Sequence, residues 1–229
     1  MDGRPKISVM AAWLSALALA ATWLSGCSAV PSAPQHAALR RSTAYSAPAV
    51  PIRQCLSELG ARQAAFTPLP DQYYGAGCAT INTVRLLSLR SDSADLNLTN
   101  LGPVTCALAD RFAGWARFGV DRAARQVLGS PLARIETMGS YSCRNVAGSD
   151  HRSAHATGNA VDVSGFVLAN GQRITVLGNW FAGTLQERSF LHMIEASACK
   201  RFGTVLGPDY NLAHRNHLHV ELSGTAFCR

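Results

Sequence analysis

Hydrophobic and polar positions fall into three regimes along the chain. From Val9 to Leu24 nearly every position is apolar, behind a basic start at Arg4 and Lys6. From Ser28 to about Pro51 alanine, serine and proline mix with scattered arginine, and no period is visible. From Arg53 onward apolar positions recur at helix or strand spacing. Residues 55–64 read as a short helix with Leu56 and Leu59 on its apolar edge and Phe66 just beyond. Tyr73 to Gly77 reads as loop. A longer helix is predicted from Cys106 to Leu128, capped by Thr105 and ended by Gly129, with Leu108, Phe112, Trp115 and Val127 facing a core. Trp115 therefore reads as core rather than as a sugar platform. Ile135 to Cys143 reads as a strand leading into Arg144. Val161-Asp162-Val163 alternates, so the carboxylate projects opposite its two valines. Asn170-Gly171 marks a tight turn with residues 173–177 pairing back across it. Glu187 to Arg201 is a second amphipathic helix. The run from His217 to Leu222 again has period two, with His217, His219 and Glu221 on one face. Helices and strands in this order predict an α+β fold, an antiparallel sheet with flanking helices.

The first two regimes bear on location. The apolar run followed by Leu24-Ser25-Gly26-Cys27 has the shape of a secretory signal, and the tetrapeptide resembles a bacterial lipobox. That resemblance implies a lipoprotein signal peptide over residues 1–26, cleavage before Cys27, and a lipid anchor on its sulfur. Ser28 after it resembles the outer-membrane sorting pattern, which places an exported protein on the outer membrane facing the periplasm. The rival is an uncleaved anchor, since the run is close to spanning length. Residues 27–52 have too few large apolar side chains for a core and read as a flexible tether. Residues 53–229 have the length of one domain.

Cysteine usage agrees with export. Beyond Cys27 the chain holds Cys55, Cys78, Cys106, Cys143, Cys199 and Cys228, an even number that predicts a disulfide-stapled domain. Fifteen pairings are open, and sequential pairing (55–78, 106–143, 199–228) is the expectation adopted. No Cys-x-x-Cys occurs, which speaks against a zinc-cysteine cluster. The formal net charge of +7 favours anionic envelope surfaces and acidic peptide stems. No nucleic-acid motif accompanies it, and nucleic acid is not an expected partner.

The candidate chemistry lies in two segments. Ser153-Ala154-His155-Ala156-Thr157-Gly158-Asn159-Ala160-Val161-Asp162 sets a histidine and a carboxylate seven positions apart across a glycine. His214-Arg215-Asn216-His217-Leu218-His219 ends on a His-x-His pair. Three nitrogen or carboxylate ligands with one open position suit a catalytic zinc, whereas structural zinc usually takes four ligands. His155, Asp162 and His219 are the candidate Zn²⁺ ligands, and His217 on the same strand face is the candidate acid/base. His214 is either a catalytic or a structural histidine. His36, His151 and His192 have no motif around them.

The first segment, Ser-x-His-x-x-Gly-x-Ala-x-Asp, together with the distal His-x-His, resembles the zinc peptidases that include D-alanyl-D-alanine carboxypeptidases, D-Ala-D-Ala dipeptidases and penicillin-insensitive murein endopeptidases. Asn216 stands where the dipeptidase branch carries its general-base glutamate, so His214-x-x-His217-x-His219 is closer to the endopeptidase branch. From about Cys55 to Cys228 the chain also resembles the bacterial extensin-like C-terminal family, through Gly-Ser-Tyr-Ser-Cys-Arg (139–144), Gly-Asn-Ala-Val-Asp-Val (158–163) and Phe-Gly-Thr-Val-Leu-Gly-Pro-Asp-Tyr-Asn (202–211). These resemblances imply a zinc D-Ala-D-Ala peptidase-like fold and cleavage of peptidoglycan stems or cross-links. They also imply that Arg144 clamps a substrate oxygen, with Ser153 and Asn216 orienting the ligands. The alternative is a wall-binding extensin-like module that cuts nothing.

Overall fold

The computed structural model describes residues 52–224 and 226–229. The expected signal peptide, Cys27 and almost all of the tether lie outside them. Among the described residues no helix is long and apolar enough to cross a membrane.

The elements run, in order, α1 (Ile52–Ala61), β1 (Ala65–Pro68), β2 (Gln72–Gly75), β3 (Cys78–Thr80), β4 (Thr83–Arg90), β5 (Asp95–Thr99), β6 (Val104–Thr105) and α2 (Cys106–Trp115). A π-helical turn (Ala116–Asp121) leads into α3 (Arg122–Leu128), followed by β7 (Leu132–Gly139). After a 3-10 turn (Ala154–Thr157) come β8 (Ala160–Leu168), β9 (Arg173–Thr175), α4 (Val176–Asn179), α5 (Leu185–Cys199) and β10 (Thr204–Leu206). A second 3-10 turn (Leu212–His214) precedes β11 (Leu218–Glu221) and β12 (Phe227–Cys228). The class is α+β, as the pattern predicts. The main sheet has the order β1-β4-β5-β7-β8-β11-β10-β12, with β6 added to β4 and β9 to β8. β2 and β3 form a separate hairpin where the sequence read as loop.

The sheet is mixed rather than antiparallel throughout, because β5 pairs β7 and β10 pairs β12 in parallel. Antiparallel neighbours can be joined by a tight turn, but a parallel pair needs a crossover. Between β5 and β7 the crossover contains α2, the π turn and α3. This is the helix expected from Cys106 to Leu128, and Gly129 ends it in the left-handed region at φ 68°. Thr105 stands at its start, but its hydroxyl makes no capping bond and donates to Asn159 Oδ1 instead. The helix packs closely on α5. A Cβ at Gly119 would lie 2.5 Å from Ser197 Oγ and 2.7 Å from Trp115 Cδ1.

Trp115 is fully buried, set edge-on to Phe166 and Phe202, with its indole N–H donating to Ile194 O at 3.0 Å. It is a core residue, its polar atom satisfied by the neighbouring helix.

Three disulfides staple the domain, but only Cys199–Cys228 follows the sequential expectation. The others are Cys55–Cys106 and Cys78–Cys143. The first ties α1 to the start of α2. The second ties the β2–β3 hairpin to the loop that carries Arg144.

Two bulges between β7 and β8 shape the sheet beside the candidate ligands. Glu136 pairs Gly165 while Thr137 pairs Val163, so Ser164 is the extra residue on β8. It reverses the alternation, and Val161 and Val163 before it share the core with Phe166 and Leu168 after it. Asp162, between the two valines and ahead of the bulge, points to the opposite face by simple alternation.

Candidate metal centre

β8 and β11 are antiparallel, in a register that puts His219 directly across from Asp162 and Val220 across from Val161. Directly opposed residues point to the same face, so the imidazole and the carboxylate meet while the valines go to the core. His155 comes from the 3-10 turn laid over this face. Ser153 caps the turn, its Oγ accepting from His155 N at 3.3 Å. Gly158 ends it at φ 65°, where a Cβ would also lie 2.9 Å from Pro103 O. Both the backbone conformation and the close approach require glycine. Asn159 holds the turn down, donating from Nδ2 to Leu222 O at 2.7 Å and accepting from the Thr105 hydroxyl at 3.1 Å.

The three facing atoms are close together. His155 Nε2 lies 3.2 Å from Asp162 Oδ1 and 3.2 Å from His219 Nδ1, and His219 Nδ1 lies 2.9 Å from Asp162 Oδ1. The edge of a tetrahedron around zinc with bonds of roughly 2.0–2.1 Å is about 3.3 Å.

The outward nitrogens fix what those atoms are. His155 Nδ1 is 3.1 Å from the Ser140 carbonyl, which can only accept, so Nδ1 carries the proton. His219 Nε2 is 3.1 Å from the Glu221 carboxylate and donates to it. In the neutral rings, His155 Nε2 and His219 Nδ1 are then bare lone pairs, aimed at each other and at a carboxylate oxygen. Such a cluster repels itself unless a positive charge lies among it, and this donor set fits a divalent zinc ion. Protons are drawn to the same place, as the titration of the groups reflects. Burial works to raise the Asp162 carboxyl, but hydrogen bonds from His155 and His219 outweigh it and hold it well below the usual carboxylate range. Burial works to lower His219, and the bonds to Asp162 and Glu221 overcome it and push it up to about 9.

The remaining histidines line the same site. His217 is buried, donates from Nδ1 to Asn216 Oδ1 at 2.8 Å, and sets Nε2 3.5 Å from Asp162 Oδ1. Burial outweighs the Asp162 charge and lowers its pKa, and the neighbouring imidazoles and Arg144 act in the same direction. His214 bonds Asn211 Oδ1 through Nδ1 at 2.7 Å, and its ring centre is 5.1 Å from that of His217. Burial, then His217 and His219, bring it down to about 4. Arg144 is exposed, and its guanidinium makes one marginal bond, Nη1 to Asn145 O at 3.5 Å. Its charge reaches both His214 and His217.

The structure thus brings His155, Asp162, His219, His217, His214 and Asn216 into one site, with Arg144 at its edge and Ser153 beneath the His155 turn. Sequence reasoning gave no role to Glu221, although period two already placed it beside His219. It also missed Asn211, whose Asn-x-x-His spacing is the cap of the second 3-10 turn. A second, more exposed triplet, His192, Glu195 and Asp209, is already engaged: His192 with Glu195 at 3.8 Å, and Asp209 with the Trp180 indole at 3.3 Å.

No curated protein and no solved structure matches the chain. A family described as extensin-like protein C-terminus does match, over residues 53–229, from the first helix to the last residue and across every side chain of the site. The chain belongs to that family.

Proposed function

We propose that this domain is an exported zinc-dependent peptidase that cleaves peptide stems or cross-links of peptidoglycan. The observation that carries this reading is the convergence of His155 Nε2, Asp162 Oδ1 and His219 Nδ1, with both outward nitrogens committed as donors. His155, Asp162 and His219 would hold a zinc ion, which would supply a Lewis acid and lower the pKa of water to about 7. The Nδ1–H bond to Asn216 leaves His217 Nε2 as a lone pair facing the site. His217 takes a proton from water there and returns it to the leaving amine nitrogen. Arg144, with donors to spare at the rim, holds a substrate carbonyl or carboxylate oxygen and stabilises the charge that develops on it. The motif resemblance of the two segments points to the same reaction.

Asn216, in the place where related dipeptidases carry a glutamate, favours one second reading, a module that binds the wall and cuts nothing. Incubation of the full chain with cross-linked muropeptides, with and without a chelator, separates the two. The enzyme reading expects cleavage that the chelator abolishes and added zinc restores. His217→Ala should keep zinc and lose about 10²–10⁴-fold in rate. Wild-type rates in that variant would overturn the mechanism, and a zinc-loaded wild type that cuts nothing would favour the binding module.

The lipobox resemblance extends the proposal to location, an anchor on Cys27 that holds the domain at the membrane. Cys27→Ser should then prevent acylation and leave either an uncleaved precursor or a soluble form; a variant that is processed and still sediments with membranes would contradict it.

A further inference from the structure

The β2–β3 hairpin is paired apart from the main sheet, yet it is fixed firmly to the site. Cys78–Cys143 joins it to the loop that carries Arg144. Arg152 clasps it from the other side, donating from Nε to Ala76 O at 2.6 Å and from Nη1 to Asn145 Oδ1 at 2.8 Å. β3 also packs against the 3-10 turn that holds His155. A hairpin held this way is a rigid display rather than a loose loop.

What it displays is aromatic. Tyr74 is 55% exposed, and its ring centre lies 5.4 Å from that of Tyr141, tilted by 42°. Tyr141 directly follows Ser140, whose carbonyl accepts from His155 Nδ1, so the ring pair is one residue removed from the metal centre. Tyr141 also lines a cleft of about 410 Å³ at the carboxyl ends of the parallel strands β5 and β7. It is lined by Leu98, Leu101, Met138 and Tyr141 with the backbone around Asn100 and Gly139. Met138 is an extra residue on β7, since Thr137 pairs Val163 and Gly139 pairs Asp162, and it stays 48% exposed.

Charge narrows the ligand. No side chain lining the cleft is charged. The hairpin's one carboxylate, Asp71, already accepts from Asn82 N at 2.8 Å. Within the cleft neither an anionic lipid surface nor nucleic acid finds a cation, and the cation against the hairpin, Arg152, is committed to Ala76 O and Asn145 Oδ1. A neutral sugar ring offers an apolar C–H face for a tyrosine ring and a polar rim for the phenol and backbone groups around it.

We propose that Tyr74 and Tyr141, continued by the cleft between β5 and β7, form a binding platform for a neutral saccharide chain. Resting on the peptidase reading above, it means that the peptide is presented to the metal centre while still attached to its glycan.

The test uses the full chain and a tetramer of N-acetylglucosamine as the neutral saccharide, with binding measured by calorimetry. Wild type should bind it, and Tyr74→Ala should weaken binding roughly tenfold. Tyr74→Phe, which keeps the ring, should bind nearly as wild type. Phe181→Ala, removing an equally exposed aromatic between α4 and α5, should change nothing. In cleavage assays the preference for glycan-attached over free stem peptide, as a ratio of kcat/KM, should fall about tenfold in Tyr74→Ala. The proposal is overturned if wild type does not bind the tetramer, or if Tyr74→Ala binds it equally. It is also overturned if the variant loses free peptide and glycan-attached peptide alike. Saccharide binding that depends on Tyr74 in a chain that cleaves nothing would leave the platform standing and remove the peptidase reading.

Discussion

Glu221 reaches no open position in the site, yet it decides which nitrogen His219 presents. Its carboxylate accepts a hydrogen bond from Nε2–H at 3.1 Å and so leaves Nδ1 as the lone pair opposite Asp162. Removing such an outer partner typically weakens metal binding about 10–100-fold without removing a ligand. Glu221→Ala should therefore raise the zinc dissociation constant by that order in a competition titration, and an unchanged constant would show that the tautomer is fixed by other means. The three side chains that converge were legible in the sequence as candidate ligands, because the His155–Asp162 spacing and the His-x-His ending are local patterns. Glu221 was visible on the right face but its partner was not. Which nitrogen it engages depends on side-chain rotation, and no spacing records that. Ser140 was illegible for a plainer reason, since it acts through a backbone carbonyl and any residue supplies one.

At the scale of elements, the sequence told more about which segments are helix or strand than about how they join. The Asn170-Gly171 turn stands where the pattern put it, but the strand after it stops at Thr175, short of the residues 173–177 expected, because the Thr175 hydroxyl caps α4. α5 starts at Leu185, two residues ahead of the Glu187 expected, because Thr184 and Glu187 form a reciprocal capping box there. The β2–β3 hairpin read as loop since Gly75-Ala76-Gly77 dominates its signal, and the strand before it has only exposed residues. The bulges between β7 and β8 were also hidden: the alternation through β8 breaks at Ser164, and only pairing with β7 reveals the extra residue. The 3-10 turn under His155 depends most on one residue. Gly158→Ala places a side chain at φ 65° and against Pro103 O, which should cost about 1–3 kcal/mol. A denaturant titration checks it, with a lower midpoint and an unchanged slope expected, and weaker zinc retention alongside. Stability equal to wild type would mean that the turn relaxes freely and is not what positions His155.

Across the whole molecule the disulfides carry the lesson about distance. Sequential pairing favours short loops, but closure entropy grows only with the logarithm of loop length. Separations of 51 and 65 residues in Cys55–Cys106 and Cys78–Cys143 are thus hardly disfavoured, and the fold decides. The same long-range closure made the sheet mixed, since the helical crossover returns β7 parallel to β5. Cys78–Cys143 is the staple that links the aromatic hairpin to the Arg144 loop. Replacing both cysteines by serine should lower stability by about 2–5 kcal/mol in denaturant unfolding; a loss within error would show that the Arg152 clasp and packing suffice. Everything proposed about function nevertheless rests on one claim, that His155, Asp162 and His219 hold a metal. Metal analysis of the purified full chain, wild type beside Asp162→Ala, tests it most directly. The account predicts about one zinc per wild-type chain and its loss in Asp162→Ala with all three disulfides intact. A wild type that takes up no zinc, or an Asp162→Ala chain that keeps its full complement, would contradict it.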